Sequence, residues 1–579
     1  MSRSIFLSKL LGFVNAARLR LANPNLPPKL QKNNSPLAAG VMSPAGIGET
    51  HDASLLPENF DPAFYLRMNP DLGAVDPVHH YLNHGRHDAW RVVTLPLVHR
   101  SETHAFNPEL GTILVVSHEA SRSGAPILAL NLVERLSVRY NVVVLLLGNG
   151  PLLGAFKNAA VATVSSPALR HNSEYAQLAI QQLSVEFSFQ FALVNSMECN
   201  LVLEPLARNF IPSVYLIHEF ASAYPNSQAL LSDTLLWSSE VVFSAGLTQE
   251  NAQDSFPAFK HFPTHILPQG RCVLTEQKGS EDQARMEADK LREQIRPKSD
   301  TDRKFVVFGA GYVNFRKGVD LFIQCAIKAM NSPGGERFRF VWIGQGYMQG
   351  AEDGYSVYLA DQIKRSGLRD RFVILGETSA ISTAYEEADV LFISSRLDPL
   401  PNVAIDAIAE RLPVVCFDKA SGISDFLSSC GLRDVCVANY LDVTSAAEKI
   451  FALADSSSLY EQAVNLSYDA AATYFDMDSY VRKIEALGVS ASRRTRQEKQ
   501  DVDTIVESGL LVGGNGAAVV QDVLSNIRGR ARGMSVPPLV AGFQPDAYVS
   551  ERGLAVAGSD PFADYLRAGS PRGVWDRCG

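Results

Sequence analysis

Two short apolar runs, Val390 to Ile393 and Val414 to Phe417, enclose the segment that most limits how this chain can fold. Each has the length and composition of a strand buried on both faces. Between them, Asn402 to Glu410 is rich in helix formers and flanked by turn residues. Strand, loop, helix, strand is the crossover that parallel strands require. The loop Ser394 to Pro401 then falls at the carboxyl end of a buried sheet, where open α/β sheets hold ligands. Asp398 sits in that loop, and Asp406 lies eight residues later, inside the helix. Backbone amides at the helix start, those of Asn402 and Val403 among them, favour an anion such as a diphosphate. A carboxylate a turn further on can accept hydrogen bonds from sugar hydroxyls. On spacing alone, a loop cap and a solvated helix residue account for the two acids equally well.

The same alternation of strand and helix fills the middle of the chain. Ile113 to Ser117 reads as a buried strand, followed by the loop Ser117 to Pro126 and a helix from Ile127 to Leu136. Gly124 permits a ligand to approach the backbone, and Pro126 suits a first helical turn. Further strands are expected at Val142 to Leu147, Phe191 to Val194, Val214 to Ile217 and Val241 to Ser244. His218 directly follows one of them, and Asn195 ends the one before. Both stand at a carboxyl edge; Asn195 and Ser123 are candidates for the acceptor side. A second set opens with Phe305 to Phe308 and a glycine-rich turn ending in Arg316, Lys317 and Gly318. Two adjacent cations there can neutralise a diphosphate leaving group, or be merely solvated. Phe338 to Ile343 and Phe372 to Leu375 complete this sheet.

These motifs together resemble retaining glycosyltransferases of the glycosyltransferase-B (GT-B) fold, of the family 4 or group 1 type. In those enzymes Glu, seven residues and Glu precede a Gly-x-Pro-Val-Val strand. Here the pattern is Asp398, seven residues, Asp406, then Arg411-Leu412-Pro413-Val414-Val415. Both acids are one methylene shorter, Arg411 replaces the glycine, and Tyr312 replaces an arginine often found five residues before the lysine. The resemblance covers about residues 111 to 487. It implies an α/β fold of two Rossmann-like domains facing a cleft, and transfer of a sugar from a nucleotide-diphosphate donor to an acceptor hydroxyl without metal or other cofactor. It implies His218, Arg316, Lys317 and Asp398 as catalytic residues. Gly124, Arg316, Lys317, Asp398, Asn402, Val403 and Asp406 would hold the donor, with Asp398 at sugar hydroxyls and Asp406 at the ribose. A nucleotide-sugar epimerase of the same fold and a noncatalytic transferase-like scaffold are the competing readings.

The 579 residues exceed one core, and the formal net charge of -9 argues against a general nucleic-acid binder. Seven cysteines without zinc-type pairing read as core thiols of a reducing cytoplasm. Near each end a unit of about thirty residues repeats. Phe60-Asp61-Pro62-Ala63-Phe64-Tyr65, Asp76-Pro77, Tyr81-Leu82, Gly85 and Trp90 answer to Phe543-Gln544-Pro545-Asp546-Ala547-Tyr548, Asp560-Pro561, Tyr565-Leu566, Gly569 and Trp575. Units so small are expected to dock on the enzyme, on each other or on a partner protein. They resemble a small module found beside bacterial polysaccharide glycosyltransferases. The nucleotide sugar would then meet a glycan or lipid-linked glycan acceptor, in lipopolysaccharide O-chain, capsule or exopolysaccharide synthesis. His79, His80, His84 and His87 of the first copy have no counterparts in the second, which argues against a metal there.

The organisation expected is a basic amphipathic helix at 1–22, a linker at 23–59, and repeat copies at 60–100 and 543–579. Mainly helical, the copies flank Rossmann-like acceptor and donor domains at 111–262 and 305–487, with a connection at 263–304 and a tether at 488–542. In the first segment Phe6, Leu10, Phe13, Val14, Ala17 and Leu21 share a helical stripe, with Arg3, Lys9, Arg18 and Arg20 supplying positive charge. Such a helix either lies on an anionic membrane, giving a cytoplasmic protein peripheral to the inner face, or packs on the protein or frays. On the membrane reading, deleting residues 1–22 shifts the chain from anionic vesicles to the supernatant in a cosedimentation assay; equal binding by both forms removes that role.

Overall fold

The computed structural model describes residues 55–88, 90–274, 281–298, 302–348, 354–511, 516–540, 542–553, 558–573 and 575. The segment expected as an amphipathic helix, 1–22, and most of the 23–59 linker lie outside the described residues. The first repeat copy contributes helices α1 (Pro62–Met68) and α2 (Pro77–Asn83).

The first sheet comprises β1 (Val98–Arg100), β2 (Thr112–Ser117), β3 (Asn141–Leu146), β4 (Ala162–Ser165), β5 (Phe189–Asn195), β6 (Ser213–Ile217), β7 (Glu240–Phe243) and β8 (His265–Ile266). Its order is β1-β4-β3-β2-β5-β6-β7-β8, parallel except for β1 against β4. β2 and β3 are buried along their whole length, as parallel strands covered by helices on both faces must be. Helices α3 (Gly124–Leu136), after β2, and α4 (Ser227–Trp237), before β7, belong to this domain. The second sheet comprises β9 (Phe305–Ala310), β10 (Phe338–Ile343), β11 (Phe372–Leu375), β12 (Val390–Ile393), β13 (Val414–Phe417) and β14 (Val437–Ala438). It is wholly parallel, in the order β11-β10-β9-β12-β13-β14. Helices α5 (Val319–Met330) and α6 (Asn402–Ala409) follow β9 and β12.

The ends of this frame depart from the sequence expectation. The connection at 263–304 is shared: β8 joins the first sheet, while Leu291 and Ile295 are buried in the second core. The expected tether at 488–542 is largely helix. α7 (Met477–Glu507) crosses back to the first domain, burying Met477, Tyr480, Val481 and Ile484 in its core. That stripe has helical spacing. It continues through Ala491, Thr495, Val502 and Ile505, so the basic residues of this stretch occupy one face of a helix. Gly488 allows the approach: a Cβ there would fall 2.6 Å from the Phe191 ring. α8 (Gly516–Ala531) then docks beside the carboxyl end of α4, where Arg528 donates to the Trp237 carbonyl at 2.7 Å and Arg532 to that of Ser238 at 2.9 Å. Cations suit the unpaired carbonyls of a helix end.

The two repeat copies share one internal geometry. Phe60 lies 5.4 Å from Tyr65 and 5.0 Å from Tyr81; Phe543 lies 5.6 Å from Tyr548 and 4.9 Å from Tyr565. In both copies the two tyrosines meet edge to face, at 5.9 Å and 5.8 Å. Tyr65 pairs with His80 at 2.9 Å, and Tyr548 donates to Asp564 at 2.8 Å, at the equivalent position. His80 is thus a structural partner that an aspartate replaces. The copies dock differently. The first places Met68 and Val92 in the core of the first domain. The second, with α9 (Pro545–Arg552) and α10 (Pro561–Arg567), packs Tyr548, Phe562 and Trp575 against Val502 and Ile505 of α7.

Arg528 is buried and holds Glu498 through two bonds, at 2.8 Å and 2.7 Å. Removing it strands a carboxylate and frees the end of α4. Arg528→Ala is therefore expected to lower stability by about 3–5 kcal/mol, read from urea unfolding.

Candidate active site

At the carboxyl end of the second sheet the loops after β9 and β12 are stitched together. The Arg396 amide donates to the Arg316 carbonyl at 2.8 Å, and the Ser394 hydroxyl to the Lys317 carbonyl at 3.2 Å. Gly318 has φ +67°, and a Cβ on it would lie 2.1 Å from the Ser394 carbonyl oxygen, so only glycine fits. This contact brings Lys317 onto Asp398, with Nζ to Oδ2 at 2.6 Å. Ser395 donates to the same oxygen at 2.9 Å, and Arg316 stands 3.6 Å from Oδ1 while donating to the Leu397 carbonyl at 2.8 Å. Asp398 is 5% exposed. Burial alone would raise its carboxyl, but Lys317 and Arg316 outweigh burial and hold it below the usual carboxylate range. Arg316 is half exposed, so its guanidinium keeps donors free toward solvent.

The sequence reading missed Arg396, two residues before Asp398. Its guanidinium grips Asp320 through two bonds, at 2.9 Å and 2.7 Å, and covers the Phe315 ring at 3.7 Å. Tyr355 donates to Asp320 at 2.5 Å. An arginine within this loop was the available signal, and its bidentate pairing makes the cationic loop rigid.

The first domain faces this cluster with the loop before α3. A Cβ on Gly124 would stand 3.6 Å from Nδ2 of Asn402, so the starts of α3 and α6 oppose each other across the two domains. Among the described residues the amides of Asn402 and Val403 have no hydrogen-bond partner, as expected of a first helical turn. Ser123 is exposed and its hydroxyl pairs with that of Ser121 at 2.9 Å. Asn195 requires a correction. It is fully buried and not open to an acceptor: its Nδ2 donates to the Ala125 carbonyl at 2.8 Å, and its Oδ1 meets Nε2 of His218 at 2.8 Å. As the last residue of a central strand it is covered by α3. Burial, then His118 nearby, pushes His218 down to about 4, so its ring is neutral at physiological pH. Glu219 accepts from Ser196 Oγ and from the amides of Met197 at 3.0 Å and His218 at 3.1 Å, holding Ser196 at φ +88°. A non-glycine residue in that region is strained and needs such support.

Asp406 stands apart from the Lys317 cluster. Its Oδ1 accepts from Nε of Arg271 at 3.1 Å, and Asn402 Oδ1 accepts from Gln269 at 2.7 Å, both donors lying on the connection between the domains. Burial raises the Asp406 carboxyl to about 6, although Arg271 acts against it. Neither Gln269 nor Arg271 was singled out in the sequence; the Pro268 and Gly270 that flank them mark the bend that brings them there.

Two α/β domains with opposed helix starts and a cationic loop over one sheet edge define the GT-B class of architecture. Residues 291–471 match the family model described as glycosyl transferases group 1. Among solved structures, Anabaena HepE in complex with UDP-glucose is similar at 18% identity and a TM-score of 0.53, over 65% of this chain and 98% of that one. Its complex with UDP gives 18% and 0.52, over 65% and 99%. Sucrose-phosphate synthase from Thermosynechococcus elongatus gives 16% and 0.50, over 65% and 98%. No curated protein matches the chain. The chain has the GT-B fold, and its residues 291–471 match the group 1 glycosyl transferase family.

Lys317→Met leaves the Asp398 carboxylate buried with only Arg316 nearby. The variant is expected to lose about 3–5 kcal/mol of stability near pH 7. Asp398, now raised above its unfolded value, gains protons on folding, so the deficit shrinks as pH falls from about 7 to 4. Unfolding curves of both proteins across that range check the sign; a deficit that does not change with pH rejects the pairing.

Proposed function

We propose that this protein is a retaining, metal-independent glycosyltransferase that moves a sugar from a nucleotide-diphosphate donor to a hydroxyl of a glycan or lipid-linked glycan in bacterial surface polysaccharide synthesis. The observation that carries this reading is the Arg316, Lys317 and Asp398 cluster opposite the start of α6 and Gly124. A diphosphate over that edge meets two cations and the unpaired amides of Asn402 and Val403. Lys317 has three donors and so can take a phosphate oxygen while keeping its bond to Asp398. In the step itself the bond from the anomeric carbon to the diphosphate breaks, and a bond to the acceptor oxygen forms on the same face. The acceptor proton passes to the departing phosphate, whose charge Arg316 and Lys317 stabilise. Asp398 and the neutral His218 orient the sugar, and Asp406 holds the ribose. HepE, of similar fold, binds UDP-glucose, which supports a nucleotide sugar as the donor.

No described helix is long and apolar enough to cross a membrane. We place the work of the chain in the cytoplasm at the inner face of the membrane, through residues 1–22, with the repeat copies also available to a protein partner.

The test is a panel of UDP, GDP, ADP and dTDP sugars, incubated with and without glycan acceptors. Release of the nucleoside diphosphate is expected to depend on the acceptor, and the product to keep the donor's anomeric configuration by NMR. Inversion would overturn the retaining step, a free isomerised donor would make the enzyme an epimerase, and no release from any donor would remove the reading. Lys317→Ala should cut turnover by about 10²–10³-fold.

A further inference from the structure

The chain crosses between the domains twice among the described residues, at 267–273 and at 475–477, and the two crossings touch. The Arg271 amide donates to the Phe475 carbonyl at 2.8 Å, and a Cβ on Gly270 would fall 2.2 Å from Cα of Met477. The first crossing is also bonded to both helices that face the cleft. Asn131 of α3 exchanges two bonds with Val273, at 2.9 Å and 3.0 Å. Gln269 reaches Asn402, and Arg271 reaches past it to Asp406 and, at 2.6 Å, to Glu410.

We infer that Arg271 is a positioning residue for the donor site: it holds Asp406 from the connection between the domains, so that the ribose-binding carboxylate and the hinge form one unit. The geometry favours this over an ordinary surface ion pair. Glu410, near the end of α6, is enough to satisfy a surface arginine, yet Nε is turned to Asp406, whose side chain is only 26% exposed. With Oδ1 engaged by Arg271, Oδ2 is the oxygen left for a ribose hydroxyl. An aspartate reaches less far than a glutamate, and a guanidinium fixed against its far side sets where that short carboxylate points. A shift in the angle between the domains moves residues 267–273, and with them Asp406 and Asn402 together.

The groups around Asp406 determine what pH does to it. Arg271 favours the ionised form and Glu410 opposes it. Cys272 and Tyr385, the other titratable groups beside it, are both pushed up by burial and stay neutral over the useful range. Donor affinity should then fall as pH drops through about 6. Removing the guanidinium moves that midpoint upward, because the cation favouring the charged form is gone.

This inference rests on the proposed nucleotide-sugar reading, and calorimetry separates the two. UDP, GDP and ADP are titrated into the full chain, and the tightest binder is followed from pH 5 to 8 in wild type, Arg271→Gln, Asp406→Asn and the double variant. Arg271→Gln is expected to weaken binding about ten-fold, a single-contact effect for a charged partner. Its acid midpoint should lie higher than that of wild type, and the double variant should bind no more weakly than Asp406→Asn alone. Arg271→Lys keeps a cation able to reach one carboxylate, and should fall between; it replaces Arg271→Gln if that protein does not fold. No binding of any nucleotide to wild type overturns the donor reading itself. Binding with additive losses, or with an unmoved midpoint, leaves that reading standing and overturns the role of Arg271.

Discussion

The carboxyl edge of the second sheet depends on the ion pair between Lys317 and Asp398. Two charges removed from water are costly unless each is met closely, and here the meeting distance is 2.6 Å with a hydroxyl and a second cation beside it. The pair ties the loop after β9 to the loop after β12, two strands that are neighbours in the sheet. Its geometry needs Gly318, because any side chain there would strike the Ser394 carbonyl. It also needs Arg396 and Asp320 to keep the loop from sagging away from the edge. The cations are therefore in place, and already partly neutralised, before an anion arrives. Such pre-arrangement lowers the reorganisation that a reaction would otherwise require.

A different constraint governs the relation of the domains. The sheets share no strand, so their arrangement rests on the crossings and on what those touch. α7 starts at the second crossing and spends its first turns in the core of the first domain, so the last part of the chain belongs to the first fold. Its later turns receive the second repeat copy, while the first copy is bonded to Asn172 and Tyr175 of the first domain. Both small units are thereby stabilised by burial that a domain of their size lacks alone.

Much of this was legible in the residues because it depends on local pattern. Every strand expected from an apolar run is present, and Gly124, Arg316, Lys317, Asp398 and Asn402 fall at sheet edges as the order of strand and loop requires. What escaped is what periodicity cannot carry. β1 is an exposed antiparallel edge of three residues, and β8 and β14 have two each, too short to show a period. The stretch 488–507 was misread because its arginines and Gly488 resemble linker composition; only the spacing of Ala491, Thr495, Val502 and Ile505 betrays a buried face. Asn195 looked available because it ends a strand, but α3 crosses over it. Arg271 is more than a hundred residues from Asp406, and only the tertiary bend joins them.

The buried position of Asn195 explains how the two sides of the cleft divide their chemistry. Its Nδ2 is committed to the Ala125 carbonyl, so the atom facing His218 is the carbonyl oxygen, and Nε2 of that ring must carry the hydrogen. Burial disfavours a second proton, and the histidine stays neutral down to about pH 4. In the proposed reaction, a neutral ring at this position adds no charge to compete with Arg316 and Lys317 for the diphosphate. The cations next to Asp398 come from the second domain, while His218 of the first is kept uncharged by burial and oriented by the Asn195 amide. In the proposed reaction, a leaving group that becomes more negative would thus be drawn toward the second domain, leaving the first to present the acceptor hydroxyl to the anomeric carbon.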